Sequence, residues 1–155
     1  MRLWHKDLIH ALPRQQLISQ WRECCCIAKN LANNNTPNHR LVNKILDYPI
    51  DDFLQYTNLV IEELKRRGYR ISQKALYSFI NNIKIYTENN IKHFPSGYAR
   101  AKDYSIFQNW HDHRYFTQNF YNLQEKYDCG IITNEEWMSI YNNLYIKNKG
   151  EIKNE

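Results

Sequence analysis

Pro13-Arg14-Gln15-Gln16-Leu17-Ile18-Ser19-Gln20-Trp21-Arg22-Glu23-Cys24-Cys25-Cys26-Ile27-Ala28 is the stretch on which the fold class turns. Leu17, Trp21, Cys24 and Ala28 recur at the spacing that stacks side chains on one face of an α-helix. Pro13 suits a first helical position, where its missing N–H costs nothing. The reading is a helix from residue 13 to about residue 30. Leu31-Ala32-Asn33-Asn34-Asn35-Thr36-Pro37-Asn38 then reads as a loop, because Asn accepts left-handed backbone and Pro37 disfavours helix at the residue before it.

The same periodicity continues outward. Ile50, Phe53, Leu54, Val60, Ile61 and Leu64 predict a second helix, with Gly68 placed to end it in a left-handed cap. Ser72 offers an N-cap to a third, carrying Leu76, Phe79, Ile80 and Ile83 on one side and fading before Phe94-Pro95-Ser96-Gly97. These two are expected to pack antiparallel. Trp110-His111-Asp112-His113 reads as a solvated turn, followed by a helix with Phe116, Phe120, Leu123 and Tyr127 that stops at Cys129-Gly130. Thr133-Asn134-Glu135-Glu136 is a capping-box sequence opening a last helix with Trp137, Ile140, Tyr141 and Leu144 inward. With only four Pro and four Gly in 155 residues, the expectation is an all-α, compact single domain of four to five helices. It covers residues 1–148, with the N-terminal segment packed on the bundle and a polar tail at 149–155.

Twenty-one Lys and Arg against 16 Asp and Glu give a net charge of +5, which favours phosphate backbones without specifying a sequence. An AT-rich coding bias toward Asn, Ile, Lys and Tyr explains that charge equally well. Apolar runs fall short of the roughly 20 residues that span a bilayer, and Met1-Arg2-Leu3-Trp4-His5-Lys6-Asp7 lacks a signal-peptide core. A cytoplasmic location is expected. Cys24, Cys25 and Cys26 are adjacent on a helix, so reduced thiols are the simpler reading. A set of Cys24, Cys26, His111 and His113 matches no ordinary zinc spacing. Gly-rich phosphate loops, Cys-x-x-Cys pairs and a Gly-x-Ser-x-Gly elbow are all missing, which removes the common nucleotide, zinc-ribbon and serine-hydrolase classes. No cofactor and no metal are expected.

Arg2-Leu3-Trp4, Leu8-Ile9 and Leu12-Pro13-Arg14-Gln15-Gln16-Leu17, leading to Trp21-Arg22-Glu23, resemble the opening of the pyrimidine-dimer DNA glycosylases of the endonuclease V type. Pro37-Asn38-His39 and Glu63-Leu64-Lys65-Arg66 before Gly68-Tyr69 resemble later landmarks of that family, and Leu123-Gln124-Glu125-Lys126 and Trp137 do so more faintly. The resemblance implies a DNA-repair glycosylase and AP lyase acting as a monomer on damaged double-stranded DNA. The α-amine of Met1 would be its nucleophile and Glu23 the acid–base carboxylate. Arg2 and Arg22 would hold flanking phosphates, His39 would touch phosphate or sugar, and Trp4, Trp110 and Trp137 would be candidates to line the space left by a displaced nucleotide. An α-amine is a sensible nucleophile: it ordinarily titrates near pH ~8, against about 10.4 for lysine, so roughly a fifth to a third of it is neutral near pH 7.5.

The chain departs from the family where Met1-Arg2 replaces a small exposed Thr, and where Cys24, Cys25 and Cys26 stand in place of Pro and a basic residue, with Lys29 a partial substitute. Blander readings stand beside these. Glu23 and Arg22 could be a surface pair, His39 a loop residue satisfying backbone carbonyls, and Lys65-Arg66-Arg67 a solvated helix end favoured by the dipole. A non-catalytic module for nucleic-acid or protein binding on the same scaffold is the alternative function.

Overall fold

A computed structural model describes residues 1–90 and 105–151, with side chains through residue 144. Among these residues five α-helices run in the order α1 (Arg14–Asn34), α2 (Ile50–Arg66), α3 (Gln73–Asn89), α4 (His113–Asp128) and α5 (Asn134–Glu151). Short 3-10 turns occupy Lys6–Ala11 and Asn43–Asp47, and no strand occurs among the described residues. The protein is all-α.

Local chemistry sets most boundaries. Pro13 is the N-cap of α1 rather than its first residue. The helix runs on through Leu31, Ala32, Asn33 and Asn34, which the sequence suggested were loop. Its stop is Asn35 at φ 55°, whose N–H donates to the Leu31 carbonyl at 2.9 Å. One left-handed Asn was therefore enough, and the two before it stayed helical. Gly68 (φ 77°) and Gly130 (φ 74°) end α2 and α4 with paired backbone bonds, Tyr69 N–H to Leu64 O and Gly68 N–H to Lys65 O in the first case. The capping box forms as expected: Glu136 N–H donates to Thr133 Oγ1 at 3.2 Å and Thr133 N–H to Glu136 Oε2 at 2.9 Å.

The core runs from Leu3, Leu8 and Leu12 through Leu17, Ile27 and Leu31 of α1 to Phe53 and Tyr56 of α2, then Phe107, Leu123, Ile132 and Ile140. α3 packs chiefly along α1, not antiparallel on α2. After the Gly68 turn, residues 69–72 are non-helical and carry the chain across α1, where the Arg14 guanidinium lies over the Tyr69 ring at 5.4 Å. Phe79 then meets both Trp21 and Phe53. Ile80 and Tyr141, expected inward, are exposed: each adjoins the buried residue that takes the core position, Phe79 and Ile140. α5 continues past residue 148 to Glu151, and Phe94-Pro95-Ser96-Gly97 lies outside the described residues.

The Lys6–Ala11 turn packs against α2, α4 and α5, so it joins the two ends of the molecule. Arg67 pins it, donating to the carbonyls of Leu12 (2.7 Å) and His10 (3.0 Å) and to Glu63 Oε1 (2.6 Å). Lys65 and Arg66 are solvated as expected, but Arg67 is not: its side chain is 19 % exposed and spent on the fold. Burial opposes the charge on Glu63, yet hydrogen bonds from Arg66 and Arg67 outweigh it and hold the carboxyl below the usual range.

Candidate active site

Residues 1–5 have no regular secondary structure, so their backbone polar groups need partners from elsewhere. Side chains supply them. Arg2 N–H donates to Glu23 Oε2 at 2.8 Å. Gln20, one turn earlier on α1 and 1 % exposed, accepts Trp4 N–H at 3.0 Å and donates to Arg2 O at 3.2 Å. From the opposite side, the Tyr115 hydroxyl donates to Leu3 O, and His5 N–H donates to Asn119 Oδ1 at 3.1 Å. Tyr56 of α2 donates to Trp4 O at 2.7 Å, and Lys6 N–H donates to His111 Nδ1 at 2.9 Å.

This strap forms one wall of a cavity of about 550 Å³ lined by Met1, Arg2, Trp4, Glu23, His39 and, from α4, Lys126. The 2.8 Å bond to Glu23 and covalent geometry together keep the Met1 α-nitrogen within about 6.5 Å of that carboxylate oxygen. The Arg2 guanidinium lies over the Trp4 ring at 5.1 Å. His39 is held by its backbone N–H to Asn43 Oδ1 at 3.0 Å, while its ring Nδ1 is buried with no partner among the described residues. Met1, Arg2, Glu23 and His39 thus come together. Arg22 does not join them; it is exposed on α1 outside this cavity, and Glu23 bonds the Arg2 backbone rather than pairing with it.

Residues 1–77, close to half the chain, match the family model described as pyrimidine dimer DNA glycosylase. Over that segment the chain is similar to that family. No curated protein and no solved structure matches it. The family segment contains Met1, Arg2, Glu23 and His39, whereas Lys126 and the α4 groups that hold the strap lie beyond it.

Those α4-side groups were missed in the sequence because each acts on a residue more than a hundred positions away. His111 is the sharpest correction. It is not in a solvated turn but 6 % exposed, stacked on His5 with ring centroids 5.1 Å apart. Burial, then the charges of His5 and Lys6, drive its pKa down to about 2, and burial lowers that of His5 also. Both rings are therefore neutral, and since each Nδ1 accepts a backbone N–H, each Nε2 carries the proton. Asp112 caps α4, its Oδ1 accepting Tyr115 N–H at 2.8 Å.

The cysteines that interrupt the family pattern divide by burial. Cys24 is in the core, where burial pushes its thiol up to about 12, and half-buried Cys25 rises to about 11. Neither is a nucleophile at neutral pH. Among the described residues no cluster of three or more His, Cys, Asp or Glu is arranged to hold a metal. Trp4 lines the cavity; Trp110 packs with Tyr48 and Phe107, and Trp137 stacks on Tyr127, both away from it. No helix among the described residues is long and apolar enough to cross a membrane.

Proposed function

We propose that the protein is a DNA glycosylase with AP lyase activity, in which the Met1 α-amine is the nucleophile and Glu23 the acid–base group. The observation that carries the reading is the Arg2 N–H to Glu23 bond, which keeps amine and carboxylate close together in the lining of one small cavity. The neutral amine attacks C1′ of the damaged nucleotide, and the glycosidic bond breaks with its electron pair leaving on the base. Loss of a proton from nitrogen and opening of the sugar ring give an imine. A base then takes a proton from C2′, the electrons shift, and the C3′–oxygen bond breaks by β-elimination.

Glu23 suits these tasks chemically. One oxygen accepts the strap N–H, which fixes the carboxylate; the other serves the sugar, first stabilising positive charge and then carrying protons. Arg2, Arg22 and His39 contact the phosphates or sugar beside the lesion, Arg22 from the exposed face of α1. Lys126 and its neighbour Glu125 bring one charge of each sign to the cavity from α4.

Borohydride trapping on duplex DNA with one abasic site tests this. Untagged protein is expected to give a covalent complex mapping to Met1, and an N-terminally extended form to give none. DNA binding without any trapped complex would overturn the chemistry and leave a binding module on the same scaffold.

A further inference from the structure

A second cavity, about 660 Å³, adjoins the first and shares Arg2, Leu41 and Asn122 with it. Arg40 and Lys44 line it from the segment around the second 3-10 turn, and Arg114 lines it from the first turn of α4. Four cations thus converge from three parts of the chain on one concave surface. Among the described residues none of the four has an ion-pair partner. Asp112 is the one acidic residue among those lining the cavity, and its Oδ1 is taken by the cap of α4.

The wall of the cavity is built rigidly. Asn109 lines it from a loop in which Phe107 (φ 53°) and Asn109 (φ 67°) both adopt left-handed backbone. Such non-glycine geometry costs on the order of 1 kcal/mol or more per residue and persists only where surrounding contacts enforce it. Asp52, fully buried, accepts Phe107 N–H at 2.8 Å, and the Tyr48 hydroxyl donates to Gln108 O at 2.6 Å. Trp110 and Tyr115 meet the other rings of this cluster. Beside these rings the cavity presents its cations, the side-chain amides of Gln118 and Asn122, and the exposed Tyr121 ring, a mixed lining that suits the phosphates and sugars of a nucleic-acid backbone.

We infer that this surface is a phosphodiester track: Arg40, Lys44 and Arg114 bind the DNA backbone as it leaves the candidate active site, with Arg2 at the junction. The inference rests on the reading of the protein as a DNA glycosylase and extends it to Arg114, which lies outside the family-matched segment. Uncompensated cations on a preformed concave wall favour a polyanion because binding releases its condensed counterions. The arginines add forked donors that fit phosphate oxygens.

The test is fluorescence anisotropy of a duplex carrying a tetrahydrofuran abasic analogue, titrated across salt concentrations. It compares wild type with R40Q, K44Q, R114Q and the triple variant, and with K84Q on α3 as a surface-charge control. All these side chains are exposed, and melting temperatures check that the variants fold. Each single variant is expected to lower the slope of log K against log salt by about 0.9, and the triple variant to lose roughly tenfold or more in affinity at low salt. K84Q should match wild type. Slopes and affinities equal to wild type in the triple variant would overturn the track. Wild-type trapping by borohydride, run in parallel, separates this from the proposed chemistry: trapping with unchanged slopes sinks the track alone, and binding with changed slopes but no trapping sinks the chemistry alone.

Discussion

The two sides of the N-terminal strap are held by different kinds of chemistry. On the α1 side, Glu23 and Gln20 are aliphatic-stemmed polar side chains; Gln20 is fully buried and Glu23 opens on the cavity. On the α4 side, His111 and Tyr115 belong to an aromatic cluster with His5, Phe107 and Trp110, and buried Asn119 accepts the His5 N–H beside it. The first side lies within the family-matched segment and the second outside it. Under the proposed mechanism, reaction chemistry falls to one side and rigidity to the other: a group that exchanges protons needs access to the cavity, while a group that only positions backbone is better buried.

Glu23→Gln is the sharpest way to break that division. The amide oxygen can still accept Arg2 N–H, so the fold should hold, while single-turnover strand cleavage falls by about 10²–10⁴, the usual worth of a general acid–base. Cleavage at the wild-type rate would remove Glu23 from the chemistry. Gln20→Ala comes next, because it leaves Trp4 N–H without a partner in the interior and Arg2 O without one at its edge. A loss of about 2–4 kcal/mol in urea unfolding is expected, and a loss below about 1 kcal/mol would mean water replaces the side chain.

The α4 side predicts a pH dependence. With the His111 pKa near 2 in the folded protein and about 6.5 unfolded, the unfolded chain binds the proton first. Stability is therefore fully present above about pH 6.5 and falls by about 1.4 kcal/mol for each unit below it. His111→Asn, whose Oδ1 can take Lys6 N–H, should flatten that slope by about one proton; an unchanged slope would mean that other groups titrate. The smallest effect is expected from Tyr115→Phe, which deletes only the hydroxyl donated to Leu3 O. It should cost about 1 kcal/mol in stability and slow trapping, and an unaltered trapping rate would show that the strap is held well enough without it.

What could be read from sequence was what repeats or acts locally. The helical period of Leu17, Trp21, Cys24 and Ala28, the caps at Gly68 and Gly130, and the Thr133 capping box all follow from neighbours a few residues apart, and all are present. The Trp21-Arg22-Glu23 triplet carried the family, and with it three of the cavity's side chains besides Glu23: Met1, Arg2 and His39. Gln20 and Asn119 were illegible, since a polar residue on a helix face looks solvent-facing until its distant partner is known. Arg67 misled for the same reason, reading as a solvated cation when its donors close on Leu12 and His10. His111 carried no period at all, and only the packing of the Phe107 and Trp110 rings reveals that it is buried.

A strand in a sheet can slide by two residues and find equivalent partners, because every rung of its ladder is alike. The strap has no such freedom: a carboxylate, two amides, two phenols and an imidazole each address a different atom between Arg2 and Lys6. Its register is written in chemically distinct addresses rather than in repetition, so deletion of a single residue there leaves no alternative alignment to fall into.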